Sequence, residues 1–186
     1  VSVSSKSAGV PAYYREKLGP DHPLARQPLK QGDINTSIIR TVNGCTITLY
    51  YDVQLPRPYD LIFRVQGTKG IYSGSLNQIY IDGRSPKRHT WEPIEPYAEQ
   101  YDHPLWKQME SQAAGRGHGG SDYVLLHRLI QALRTGSPPE MDVYDAATWS
   151  VITPLSIQSV AQRGRSVDFP DFTRGKWKTN QPIAVP

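Results

Sequence analysis

His118 stands inside the run Gly115-Arg116-Gly117-His118-Gly119-Gly120, directly ahead of a helical pattern. Glycines on both sides remove bulk and let a ligand approach the imidazole. The ring titrates near neutral pH and can either donate to or accept from a hydroxyl. A helix opening near Ser121 would turn free N–H groups toward the same space. A structural histidine in a flexible helix–helix loop is the other reading. The run is also a literal G-x-G-x-x-G, with Asp142 about twenty residues further on, as in a dinucleotide fingerprint. That fingerprint needs a buried strand before it. Here the run follows Trp106-Lys107-Gln108-Met109-Glu110, which is polar and helix-prone, and the next element is again a helix. The context argues against dinucleotide binding at this run.

Tyr59 is the second candidate. In Pro56-Arg57-Pro58-Tyr59 two prolines fix backbone directions beyond the strand-like segment 45–53. A phenol on a stiff support can orient a ligand; a tyrosine packed on a sheet edge fits the same residues. The five histidines, at positions 22, 89, 103, 118 and 127, have no zinc-ligand spacing, so no metal site is expected. No G-x-S-x-G nucleophile turn occurs. Glu92, Glu95, Glu99 and Asp102 form an acidic group. It could hide a carboxylate pair, but solvated loop acids are the simpler reading.

Composition narrows the classes. With 38% hydrophobic residues before its 15 glycines are counted, the chain of 186 residues has material for one core. Eleven tyrosines and four tryptophans argue against disorder. They suit hydrogen-bonding surfaces such as a sugar cleft or an interface, or a half-buried tyrosine-rich sheet. A net charge of +4 with no basic block beyond Lys87-Arg88 near Arg84 gives no footprint for nucleic acid. No apolar stretch reaches the length of a membrane span. The single cysteine, Cys45, sits in a β-like run and is expected to be buried.

The elements that must position these residues read as strands first and helices later. Residues 34–41 and 45–53 flank Val42-Asn43-Gly44, a hairpin signal. Residues 60–66, Ile71-Tyr72-Ser73 and 77–81 continue an antiparallel meander, with a further short strand near 88–91. A helix is expected over 102–114 with Asp102 as cap. Another runs from a Ser121 cap to Gly136 and carries an apolar stripe of Leu126, Leu129, Ile130 and Leu133. A third begins at an Asp142 cap and ends at Gly164, kinked by Pro154. The order predicts an α+β fold: an open antiparallel β-sheet covered on one face by helices. Residues 1–178 are expected to form a single domain and 179–186 an extended tail. The uncovered sheet face, read as the one bearing Ile47, Leu49 and Tyr51, is expected to self-associate.

A series of blocks ties these elements together: Tyr14-Arg15-Glu16, Gly32-Asp33-Ile34-Asn35-Thr36, Arg57-Pro58-Tyr59, Gly67-Thr68-Lys69-Gly70, His103-Pro104-Leu105, His118-Gly119-Gly120-Ser121-Asp122, Met141 to Ala147, and Pro170 to Gly175. Their order resembles the C-terminal part of glycoside hydrolase family 109, NAD-dependent glycosidases of the Gfo/Idh/MocA oxidoreductase superfamily. The resemblance runs from about Tyr14 to Lys178 and implies that superfamily's C-terminal-domain fold. It also implies a carbohydrate substrate, and chemistry in which a tightly held NAD⁺ transiently oxidises the sugar C3 hydroxyl, followed by elimination, water addition and return of the hydride. On that resemblance Tyr59 and His118 are the positions carried over as substrate or nicotinamide contacts.

The N-terminal Rossmann domain of such enzymes is absent here, as is the middle segment holding their main catalytic tyrosine and histidine. No catalytic residue is therefore assigned within this chain, NAD is expected in the full-length parent rather than bound here, and the isolated chain is expected to be inactive. The expected partners are a sugar, the missing nucleotide-binding domain and further copies through the sheet. A stand-alone carbohydrate-binding or assembly module is the alternative.

Overall fold

The computed structural model describes residues 1–5, 9–53 and 56–180. The described residues fall into two compact units: those of 1–56 with 141–180, and those of 57–140. The predicted tail thus lies mostly outside the described residues.

The first unit begins with β1 (Ser2–Ser5), α1 (Gly9–Leu18), α2 (Pro23–Arg26), β2 (Ile34–Arg40) and β3 (Thr46–Asp52). The strands form an antiparallel sheet in the order β1-β2-β3. The predicted hairpin is β2–β3, in a register running from Ile34↔Asp52 to Arg40↔Thr46. Its loop is Val42–Gly44, closed by Thr41 N–H to Cys45 O (2.9 Å). Gly44 takes the left-handed conformation such three-residue loops require (φ 83°). Cys45 is exposed rather than buried, because it ends the loop instead of entering the strand.

The second unit holds β4 (Arg64–Gly67), β5 (Gly70–Ser73), β6 (Gln78–Ile81) and β7 (Glu92–Pro93), then α3 (Glu95–Tyr101), α4 (Pro104–Ala113) and α5 (Ser121–Thr135). Its strands pair antiparallel in sequence order. The predicted meander is present, but the strands divide between two sheets of three and four. Helix α3 has no apolar periodicity and was not expected. It is pinned by aromatics: Tyr97 donates to Glu92 (2.9 Å), and Arg84 lies over the Tyr97 and Tyr101 rings at 5.6 and 5.4 Å. Two caps differ from expectation. His103, not Asp102, caps α4, its Nδ1 accepting from Leu105 N–H (3.1 Å). Gly120, not Ser121, is the residue before α5, and the Ser121 hydroxyl donates back to His118 O (2.8 Å).

The first unit closes with α6 (Val143–Ser150) and α7 (Ile152–Ala161). Asp142 caps α6 in a reciprocal capping box with Asp145. The break falls at Val151, and Pro154 sits in the first turn of α7, where a missing N–H costs nothing. One interrupted helix thus becomes two. Between β2 and α7 runs a polar seam. Ser156 and Ser37 both donate to Asn35 Oδ1 (3.0 Å each), and Gln31 donates to Ser156 (3.3 Å). Buried polar groups paired in this way fix the position of the helix on the sheet.

Opposed residues in an antiparallel pair share a face. Ile47, Leu49 and Tyr51 lie opposite Ile39, Ser37 and Asn35, so they share the face that Ser156 of α7 touches. The opposite face carries Ile38 and Tyr50, which are 51% and 58% exposed. On the face expected to be bare, Ile47, Leu49 and Tyr51 of β3 are 43%, 37% and 48% exposed, while the central strand turns Asn35 and Ser37 of the same face to Ser156 of α7.

Apolar burial is sparse. Among the described residues only Ala25, Met109 and Ala113 are buried hydrophobic side chains. The stripe expected on α5 forms but stays uncovered, with Leu126, Leu129, Ile130 and Leu133 between 41% and 74% exposed. The side of α5 that is half-buried runs along Val124, Arg128 and Ala132 instead. Arg128 is held there by an ion pair with Glu140 (Nε to Oε1, 2.6 Å).

Candidate functional site

Both candidate residues lie in the second unit. Tyr59 sits in the irregular segment before β4 and is 90% exposed. Its support comes from the next residue. Asp60 accepts from Ile62 N–H (2.7 Å) and from the Ser75 hydroxyl in the β5–β6 turn, which staples the segment to the sheet. The Ser75 hydroxyl first, then the Ile62 N–H and the Arg57 charge, hold the Asp60 carboxyl below its usual value. The phenol projects from an anchored loop without packing on the sheet.

His118 lies in the 3₁₀ turn Gly117–Gly120 between α4 and α5. His118, Gly119 and Gly120 are left-handed in succession, with φ of 50°, 67° and 96°. A histidine there is strained, since its Cβ crowds the backbone. Gly120 must be glycine on space as well: an added Cβ would lie 2.8 Å from the Ala113 side chain and 2.9 Å from its carbonyl oxygen. Nδ1 of His118 meets Asp122 Oδ2 at 2.7 Å. Hydrogen bonding to that carboxylate, with its charge, raises the imidazole above its ordinary pKa. The imidazole is 84% exposed, and its Nε2 makes no hydrogen bond among the described residues. The nearby Arg116 is turned away, bonding Gln112 O (2.9 Å) and covering the Tyr123 ring at 4.6 Å.

Among the described residues no hydrogen bond links Tyr59 to His118. The arrangement offers an exposed phenol on a loop anchored by Asp60 and an imidazole held directly by the Asp122 carboxylate. Sequence reading missed both carboxylates. Asp60 directly follows Tyr59, and Asp122 lies four residues after His118, so each spacing was visible. The glycine-rich run itself joins two helices. It lacks the preceding strand that aims a dinucleotide pyrophosphate at a helix start, so these residues do not fit that cofactor. No group of three metal-ligating side chains occurs among the described residues. A separate cleft of about 370 Å³ in the first unit is lined by Ile38, Arg40, Ile152, Leu155, Asp168 and Phe169. It contains neither candidate.

The family model described as "Glycosyl hydrolase 109, C-terminal domain" matches residues 1–179. This chain belongs to the glycosyl hydrolase 109 family. Its relatives include a glycosyl hydrolase family 109 protein of Stenotrophomonas maltophilia, 46% identical over 98% of this chain and 40% of its own length. A second, from Solibacter usitatus, is 47% identical over 98% of this chain and 42% of its own length. A protein of Tannerella forsythia named alpha-N-acetylgalactosaminidase is 44% identical over 97% of this chain and 38% of its own length. The chain spans about two fifths of the length of these glycosyl hydrolase 109 proteins. The α+β architecture with open antiparallel sheets agrees with its place as the family's C-terminal domain.

Proposed function

We propose that this chain is the sugar-facing and assembly part of an NAD-dependent glycosidase acting on α-linked N-acetylgalactosamine. The family membership and the name borne by the Tannerella forsythia relative support the substrate class. The sparse apolar interior is the observation that most favours a part over a whole, because a self-sufficient domain of this size buries its leucines and isoleucines. The uncovered α5 stripe and the exposed Ile38 and Tyr50 supply surface for a nucleotide-binding domain and for a further copy through the sheet. NAD, which supplies reversible hydride transfer in this reading, is assigned to the remainder of the protein; no residue described here is given a role in holding it.

Within that reading Tyr59 and His118 bind and orient the sugar. The Tyr59 phenol donates to or accepts from a ring substituent. Nε2 of His118 accepts from a hydroxyl when the ring is neutral and donates when it is charged. The test compares this chain with the full-length protein on para-nitrophenyl N-acetyl-α-galactosaminide. The full-length protein is expected to retain NAD through gel filtration and to release nitrophenol; the chain alone is expected to do neither. Tight NAD binding and unaided cleavage by the chain would overturn the reading. Sugar binding by the chain, joined to a full-length protein without turnover, would favour a binding module.

A further inference from the structure

We infer that Asp122 is a positioning residue for His118: its carboxylate accepts a hydrogen bond from Nδ1–H, fixes that tautomer, and leaves Nε2 turned outward as the acceptor for a sugar hydroxyl. This rests on the reading of the chain as sugar-facing and adds to it the group that would make the histidine work.

Three observations separate this pair from an ordinary surface ion pair between residues four apart. The first is the contact, 2.7 Å from Nδ1 to Oδ2, with Nε2 left open. The second is the backbone. An i, i+4 pair on a regular helix needs no left-handed residue, whereas here His118 itself is left-handed (φ 50°), outside α5, and swings its ring over the helix start to reach the carboxylate. The third is space cleared for the carboxylate. A Cβ at Gly117 would stand 2.6 Å from Oδ2, the same oxygen that meets the imidazole. The loop bears a backbone cost at 118 and forgoes a side chain at 117, and both serve one geometry.

The consequence is chemical. A free neutral imidazole carries its proton mostly on Nε2, the wrong nitrogen for accepting from an outside hydroxyl. A carboxylate on Nδ1 reverses that preference, as in other histidines oriented by a carboxylate. The same contact holds the ring charged to higher pH, so acceptance at Nε2 switches on only above a raised titration point. Asp122 is the charged group in contact with the ring; Arg116, the other charged group of the loop, is engaged with Gln112 and Tyr123.

The test uses the full-length protein with Asp122→Ala and Gly117→Ala. Gly117 has an ordinary negative φ, so alanine fits its backbone and acts by displacing the carboxylate. His118 is titrated by the pH dependence of its diethylpyrocarbonate modification, read at its own peptide by mass spectrometry. kcat/KM on para-nitrophenyl N-acetyl-α-galactosaminide is followed across the same pH range. Both variants are expected to lower the His118 titration point toward an ordinary imidazole and to move the acid limb of kcat/KM to lower pH with it. On the plateau kcat/KM should fall about ten-fold, the size usual for losing a group that orients a histidine. An unmoved titration point in both variants overturns the inference. A moved titration point with an unmoved acid limb also overturns it, while the glycosidase reading stands. A wild-type protein that cleaves no glycoside, yet shows the titration shift, removes the glycosidase reading and leaves the orienting role of Asp122 supported.

Discussion

At the scale of single residues, His118 gains meaning from a partner four positions on in sequence, Asp122. His118 is exposed, so its removal should touch binding rather than folding. His118→Ala in the full-length protein is expected to lower kcat/KM by about 10²-fold, the lower end for a lost proton-handling group. The melting temperature should stay near that of the wild type. His118→Gly separates the two roles further: it relieves a left-handed side chain that costs about 1 kcal/mol and should melt no lower than wild type while losing the same activity. Normal kinetics with a steep drop in melting temperature would make His118 structural. Histidines 22 and 103 show the opposite case. Each accepts through Nδ1 from a backbone N–H two residues on and caps a helix, a role that their position before proline foreshadowed.

Turns and caps decide matters at the scale of elements. The segment Asp171–Lys178 is a tight turn built on one carboxylate. Asp171 accepts from Thr173 N–H (2.9 Å), Thr173 Oγ1 (2.7 Å), Gly175 N–H (2.7 Å) and Trp177 Nε1 (3.2 Å). The Thr173 hydroxyl leads in holding its carboxyl below the usual value; burial opposes it, and the Gly175 and Thr173 amides and the Trp177 indole add to the lowering. A folded-state pKa below the unfolded one stabilises above the unfolded value, near 4, and that contribution is lost as pH falls through the folded value. Asp171→Asn should therefore flatten the decline of melting temperature below about pH 4, measured by circular dichroism. An acid limb identical to wild type would remove Asp171 from the account. At the α4–α5 junction, Gly120→Ala adds a Cβ into Ala113 at a left-handed position and should cost about 1–3 kcal/mol in denaturant titration.

For the whole molecule, uncovered apolar surface is the controlling fact. The isolated chain is expected to bind the dye ANS and to lose that signal when joined to the remainder of the protein. Replacing Leu129 and Ile130 together by glutamine should reduce the dye signal of the chain. On the proposed reading, the same change in the full-length protein should weaken packing against a nucleotide-binding domain, read as loss of retained NAD. Self-association is expected in sedimentation and should diminish in Ile38→Lys, since that residue lies on the sheet face opposite Ser156. A monomer for both wild type and variant would exclude that face.

The sequence alone determined local structure. Alternating β-branched residues and Asn43-Gly44 set the β2–β3 hairpin, Asp142 and Asp145 set the start of α6, and Gly136 set the end of α5, because each depends on neighbours a few residues away. The order of the motif blocks, by resemblance, also pointed to the family before any contact was known. Tertiary structure decided what lies against what. Strands of similar composition divided into two sheets, Asn35 and Ser37 turned inward to meet Ser156, and the leucines of α5 stayed outside. The contact of Asn35 and Ser37 with Ser156 joins residues more than a hundred positions apart, which periodicity cannot see. The pairing of His118 with Asp122 lies between the two: its spacing is local, but only the left-handed backbone of the glycine run turns the ring onto the carboxylate.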